Sequence, residues 1–177
     1  AGVYSVTMKA KNAEGEAEKT QEGFIVVDEA AEGDLALLSQ GQPAEATAFV
    51  NSNEAPEFAV DGDVTKKWCA TGTPPHEITV DLGEVKTVSA VAISHAEAGG
   101  ESPDMNTKAY TISVSEDGSE FTEVKSVTKN TLAETMDTFA PAQARYVKLS
   151  VVKPTQGSDT AARIYELQVY GADAIAE

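Results

Sequence analysis

Apolar and polar positions alternate along most of this chain. Residues 3–9, Val-Tyr-Ser-Val-Thr-Met-Lys, read as a strand, Asn12-Ala13-Glu14-Gly15 as a turn and Phe24-Ile25-Val26-Val27 as a second strand. Ile78-Thr79-Val80-Asp81-Leu82-Gly83 alternates and closes on glycine, and residues 110–124 form a hairpin turned at Asp117-Gly118. Phe139 to Val152 predicts a pair of short strands around Pro141, and Arg163 to Tyr170 a last strand. Val88 to Ile93 is nearly all apolar, as in a strand covered on both faces. One helical turn is expected over Ala55 to Val60, and helical periodicity is otherwise scarce. Short strands with regular turn signals predict an all-β sandwich.

Breaks in the pattern set the domain boundaries. Residues 28–34 are acidic and poor in apolar side chains, and read as a linker between a hairpin (1–27) and a domain over 35–172, with a tail at 173–177. Two strands are too few to stand alone in water, so the hairpin reads as the end of a domain and the chain as a piece of a longer protein. Within 35–172 the polar stretches are Asn51 to Glu54, Pro154 to Thr160 and the loop His95 to Thr107, whose length suggests a functional role.

Composition narrows the function classes. The 177 residues carry 29 Asp and Glu against 13 Lys and Arg, a formal net charge of −16. That balance disfavours nucleic acid and anionic membranes, both of which need basic contacts. No run of 18 apolar residues is present to span a bilayer. The single Cys69 excludes an internal disulfide framework. His-Glu-x-x-His, Gly-x-Ser-x-Gly and phosphate-loop motifs are absent, and no carboxylate pair is set apart from the general acidity, so no catalytic residue is assigned.

The stretch Phe58 to Cys69 carries the densest candidate chemistry. Asp61 and Asp63 flank Gly62, and Thr65 adds a hydroxyl, a hard-oxygen set that suits Ca²⁺ with its six to eight oxygen ligands. The same residues also read as an ordinary acidic turn.

The order of five motifs is similar to the discoidin, or coagulation factor type C, family. They are Asp61-Gly62-Asp63 leading to Trp68; Ile78 to Gly83; Tyr110 to Gly118; Ala144-Arg145-Tyr146-Val147-Lys148-Leu149; and Arg163 to Gly171. The resemblance covers about residues 34–171 and is nearest to bacterial family 32 carbohydrate-binding modules. It implies a jelly-roll β-sandwich of the galactose-binding-like kind and a structural Ca²⁺ site stapling the acidic turn to the last strand. By position, the Phe58 carbonyl, Asp61, Asp63 and Glu166 would be ligands, and the Tyr165 carbonyl is a further candidate. Lys66 stands where the family usually has Thr or Ser. It would give only its carbonyl, or Thr65 would ligate from a shifted turn.

The resemblance also implies a shallow sugar site in the loops at one edge, here Trp68 to His76, His95 to Thr107 and Pro154 to Arg163. The candidate contacts are His95, Glu97, Glu101, Asn106 and Arg163, with His95 held rigidly at the loop base. Cys69 and Ala96 or Glu97 replace the His and Arg of many galactose-binding members, and Glu77 replaces an aromatic. Trp68, Cys69, Tyr165 and Tyr170 read as packing residues. The pattern around Trp68, His95 and Arg163 resembles the C-terminal module of secreted bacterial endo-β-N-acetylglucosaminidases, and the hairpin resembles the end of an immunoglobulin-like or polycystic-kidney-disease-type domain. The resemblance implies an extracellular or cell-wall-attached, monomeric, non-catalytic module beside the other domains of a parent glycosidase. Its ligand would be a terminal GlcNAc, galactose or mannose-type N-glycan, bound at about 0.1 to 1 mM, or roughly 4 to 5.5 kcal/mol. The alternative is a spacer that docks other domains.

Overall fold

A computed structural model describes residues 2–12, 15–27 and 35–172. The chain divides into two units, Ala1–Asp34 and Leu35–Glu177. In the first, strands β1 (Gly2–Asn12) and β2 (Gly15–Val27) pair antiparallel from Gly2 with Val27 to Asn12 with Gly15. The turn residues 13 and 14, the linker 28–34 and the tail 173–177 lie outside the described residues.

The second unit is a β-sandwich without an α-helix among its described residues. Its strands are β3 (Ala36–Leu37), β4 (Ala44–Ala46), β5 (Trp68–Ala70), β6 (His76–His95), β7 (Ala109–Ser115), β8 (Thr122–Val127), β9 (Glu134–Lys153) and β10 (Ala162–Ala172). The long strands β6 and β9 belong to both layers. The first part of β6 pairs with β4 and with Tyr146 to Val151 of β9, which in turn pairs with β7 and so with β8. The second part of β6 pairs with the first part of β9 and with β10, which also holds β3 and β5.

The bend between the layers falls where the β6–β9 register breaks, between Asp81 and Lys86. Gly83 takes φ +83 there, a left-handed conformation that a side chain disfavours. Arg145 on β9 clamps the corner by a bidentate pair to Asp81, at 2.7 and 2.8 Å.

The two short strands expected around Pro141 are a single strand, β9, with a second register break opposite Val88 and Ala90. Pro141 falls in that break, between the paired residues Thr138 and Ala142, where no N–H is required of it.

The alternation expected from the sequence builds the core. Ile78, Val80 and Leu82 of β6 meet Ile112 of β7, Leu149 and Val151 of β9 and Leu167 and Val169 of β10, all buried. Trp68 is fully buried, its indole N–H donating to the Ala48 carbonyl at 2.9 Å, and Cys69 is a buried free thiol. The helical turn expected over Ala55 to Val60 is a 3-10 turn at Pro56–Ala59.

Candidate functional site

The loop after β6 builds the site. A 3-10 turn at Ala96–Gly99 ends on Gly100, whose φ of +89 reverses the chain. The Glu101 N–H then bonds back to the Ala96 carbonyl at 3.1 Å. Gly99 lies flat against the Tyr165 ring, where a Cβ would enter the ring itself. This close approach brings Glu101 onto the start of β10.

Glu101 collects three side chains from two other elements. Its Oε1 accepts from Lys67 Nζ at 2.9 Å and from the Tyr165 hydroxyl at 2.9 Å, and its Oε2 lies 3.1 Å from Arg163 Nε. Lys67 also lies 3.4 Å from Glu54 Oε1, and Arg163 donates to Asp159 at 2.9 Å and to the Ala161 carbonyl at 3.0 Å. Burial pulls the Lys67 ammonium down, but the hydrogen bond and charge of Glu101 outweigh it, so its pKa stands above the usual lysine value. Burial and the same carboxylate push the Tyr165 phenol up. The cluster is half-buried, so its groups are held in place yet reach solvent.

Strand β5 sets the flank of the cluster. Cys69 pairs with Arg163 on one side, while its N–H donates to the Glu54 carbonyl and its carbonyl accepts from Val50 on the other. The Val50 bond sets residues 49 and 50 alongside β5, and Phe49 and Val50 are large apolar residues left exposed, at 51% and 45%. Burial raises the Cys69 thiol, with the Glu54 charge adding to it, so this thiol is no poised nucleophile.

Of the five expected sugar contacts, Glu101 and Arg163 meet in this cluster. His95 and Asn106 do not, because both are fully buried. The His95 ring packs on Tyr110, 5.7 Å between centroids, and Nε2 lies 3.3 Å from Thr135 Oγ1. Burial holds its pKa down at about 4. Asn106 staples the loop: it accepts from the Glu97 N–H at 2.8 Å and donates to the Glu97 carboxylate at 3.0 Å and the Thr131 carbonyl at 3.3 Å. Glu97 is exposed, with its carboxylate tied to that staple. Gln156 braces the same loop and His76 is buried against the Thr160 carbonyl. Sequence reasoning did not name Glu54, Lys67 or Asp159 as site residues, and gave Tyr165 as a packing residue and a candidate carbonyl ligand of the metal, not as a hydroxyl partner of Glu101. The signal available was Lys67 immediately before the only Trp.

The acidic turn lies on the far side of β10's irregularity. The register shift between Ile164 and Glu166 turns Tyr165 to the rim and Glu166 to the turn, where Glu166 Oε1 accepts from the Gly62 N–H at 2.9 Å. Burial raises the Glu166 carboxyl to about 7; the Gly62 N–H opposes this and the Asp61 charge adds to it. Gly62 has φ +82. Asp61 Oδ1 accepts from the Asp63 N–H at 2.8 Å, and Asp63 Oδ1 accepts from the Thr65 hydroxyl at 2.6 Å, which with the Thr65 N–H holds Asp63 at about 2. Lys66 Nζ lies 3.4 Å from Asp61 Oδ2 and 3.2 Å from Asp63 Oδ2. As they stand, these donors do not fit a shared Ca²⁺. The ammonium lies within ion-pair distance of both Asp carboxylates, and among the described residues no three His, Cys, Asp or Glu side chains converge as a metal site.

The F5/8 type C domain model matches residues 43–167. This chain belongs to that family. Solved structures similar to it include the family 32 carbohydrate-binding module of Streptococcus pneumoniae EndoD, at 26% identity and TM-score 0.69, covering 77% of this chain and 100% of that one. CpGH89CBM32-5 from Clostridium perfringens, in complex with GalNAc-β-1,3-galactose, is 25% identical at TM-score 0.68, covering 77% and 100%. Chitosan-binding module 1 of a Paenibacillus sp. IK-5 chitosanase/glucanase is 26% identical at TM-score 0.67, covering 77% and 99%. The fold of this F5/8 type C domain is thus that of carbohydrate-binding modules, and no helix among its described residues is long and apolar enough to cross a membrane.

Proposed function

We propose that this chain is a non-catalytic carbohydrate-binding module, and that the rim around Glu101 is its sugar site. The observation that carries the reading is the convergence of Lys67, Arg163 and Tyr165 on one half-buried carboxylate. Sugar recognition needs fixed polar groups for hydroxyls and an aromatic face for the C–H side of the ring; this cluster supplies the polar groups, and the exposed Phe49 near β5 is the candidate face. Glu101 Oε2, Glu54 and Asp159 keep lone pairs for sugar hydroxyls. Lys67 and Arg163 face three carboxylates, Glu54, Glu101 and Asp159, so the rim carries a formal charge of −1. That sign favours a neutral or amino sugar over a sialic or uronic acid. A terminal GlcNAc, galactose or mannose of an N-glycan fits this chemistry.

The similarity to the EndoD module supports a parent of the secreted endo-β-N-acetylglucosaminidase kind, which this module would hold at host or cell-surface glycans outside the cell. Residues 2–27 would then be the end of the preceding immunoglobulin-like domain. The test is a glycan array probed with the chain and with Arg163→Ala. Selective signal on neutral termini, lost in the variant, supports the reading. A blank array with folded protein supports the spacer instead.

A further inference from the structure

We propose that the Lys66 ammonium is the resident cation of the acidic turn, and that this module closes the turn without a divalent ion. The ammonium is gripped by two carboxylates of the same turn, 3.4 Å from Asp61 Oδ2 and 3.2 Å from Asp63 Oδ2. A third side is closed by the Phe58 ring, whose centroid lies 5.3 Å from Nζ, a cation–π contact. Phe58, Asp61 and Asp63 thus contact a cation that the chain itself supplies, on a side chain that stays 47% exposed.

Several other oxygens of the turn already have protein partners. The Thr65 hydroxyl donates to Asp63 Oδ1, Asp61 Oδ1 caps the Asp63 N–H, and Glu166 Oε1 holds the Gly62 N–H. The Asp63 carbonyl accepts from the Lys66 N–H at 3.0 Å. The backbone fold of the turn and its attachment to β10 are therefore complete with protein donors alone. A Ca²⁺ ion requires six to eight oxygens at about 2.3 to 2.6 Å. To bind Asp61 and Asp63 together it would have to expel the ammonium, break both ion pairs and leave Lys66 as a like charge close by. The tethered ammonium has no such cost and is present at fixed local concentration.

The experiment is thermal unfolding of the whole chain in millimolar Ca²⁺ and in chelator, with a Ca²⁺ titration by calorimetry. The melting temperature is expected to be the same in both media, with no saturable heat. Lys66→Thr removes the ammonium and supplies a hydroxyl. This variant is expected to melt lower than the parent in chelator and to gain several degrees in Ca²⁺ by linkage. Lys66→Met, which removes the charge and adds no oxygen, is expected to melt lower in chelator and to gain less from Ca²⁺ than Lys66→Thr. A parent protein whose melting temperature climbs to saturation with Ca²⁺ would overturn the proposal. So would a Lys66→Thr variant no more responsive to Ca²⁺ than the parent. Neither readout depends on glycan binding.

Discussion

Arg163 on β10 and Glu101 in the loop after β6 meet at 3.1 Å through Nε and Oε2. The contact joins β10 to the loop between β6 and β7, and Lys67 ties the approach to β5 into the same carboxylate. A ligand at this rim would touch three elements that the core already fixes, so binding requires little ordering of side chains.

Gly99 is the point on which that geometry turns. In Gly99→Ala the new Cβ meets the Tyr165 ring, and the loop carrying Glu101 must move. The expected cost is about 1 to 3 kcal/mol, as for overpacking elsewhere. Urea unfolding measures it, and glycan affinity is expected to fall as well.

Phe49 separates binding from stability. Half of it is exposed and it sits outside the core, so Phe49→Ala is expected to unfold within about 0.5 kcal/mol of the parent. Loss of an aromatic face should weaken glycan binding by about 3- to 10-fold. Calorimetry with the best array ligand checks this, and unchanged affinity would remove Phe49 from the site.

His95 makes the domain acid-sensitive. Its folded pKa is held at about 4 by burial, against 6.5 unfolded, so the unfolded chain takes up the proton first. Above pH 6.5 the residue adds no pH dependence. As pH falls from 6.5 to 4 it subtracts up to about 3 kcal/mol from stability. Urea midpoints across that window, compared with His95→Gln, isolate this contribution, and the variant is expected to show a flatter profile.

Trp68 anchors β5 from below. Trp68→Phe leaves the Ala48 carbonyl without its donor and opens a small void, at an expected cost of about 1 to 3 kcal/mol in denaturant unfolding. Because Trp68 is buried and does not line the rim, glycan affinity measured well below the unfolding transition should stay near that of the parent.

The strands of the sandwich were legible because a period of two is written directly in runs such as Ile78, Val80 and Leu82, all buried. The continuity of β9 was not, because a proline inside a register break looks the same in sequence as one between two strands. Glu101 and Arg163 could be named from loop position and resemblance, but their partners could not. Lys67 and Glu54 join the rim only through contacts across β5 and β10 that no local pattern encodes. His95 and Asn106 failed as surface contacts for a related reason. A polar residue in a loop can turn inward when it finds partners there, as Asn106 does with Glu97 and Thr131. The Asp-Gly-Asp turn and Glu166 did come together, and what the residue types alone did not reveal is that Lys66 reaches back between the two aspartates.

The most direct measurement is the affinity of the chain and of Arg163→Ala for neutral N-glycan termini, with melting temperatures taken on both. The parent is expected to bind at about 0.1 to 1 mM. Arg163→Ala is expected to stay folded and lose about tenfold or more, as for removal of a charged hydrogen-bond partner. A folded Arg163→Ala that binds as well as the parent would contradict a sugar site at this rim.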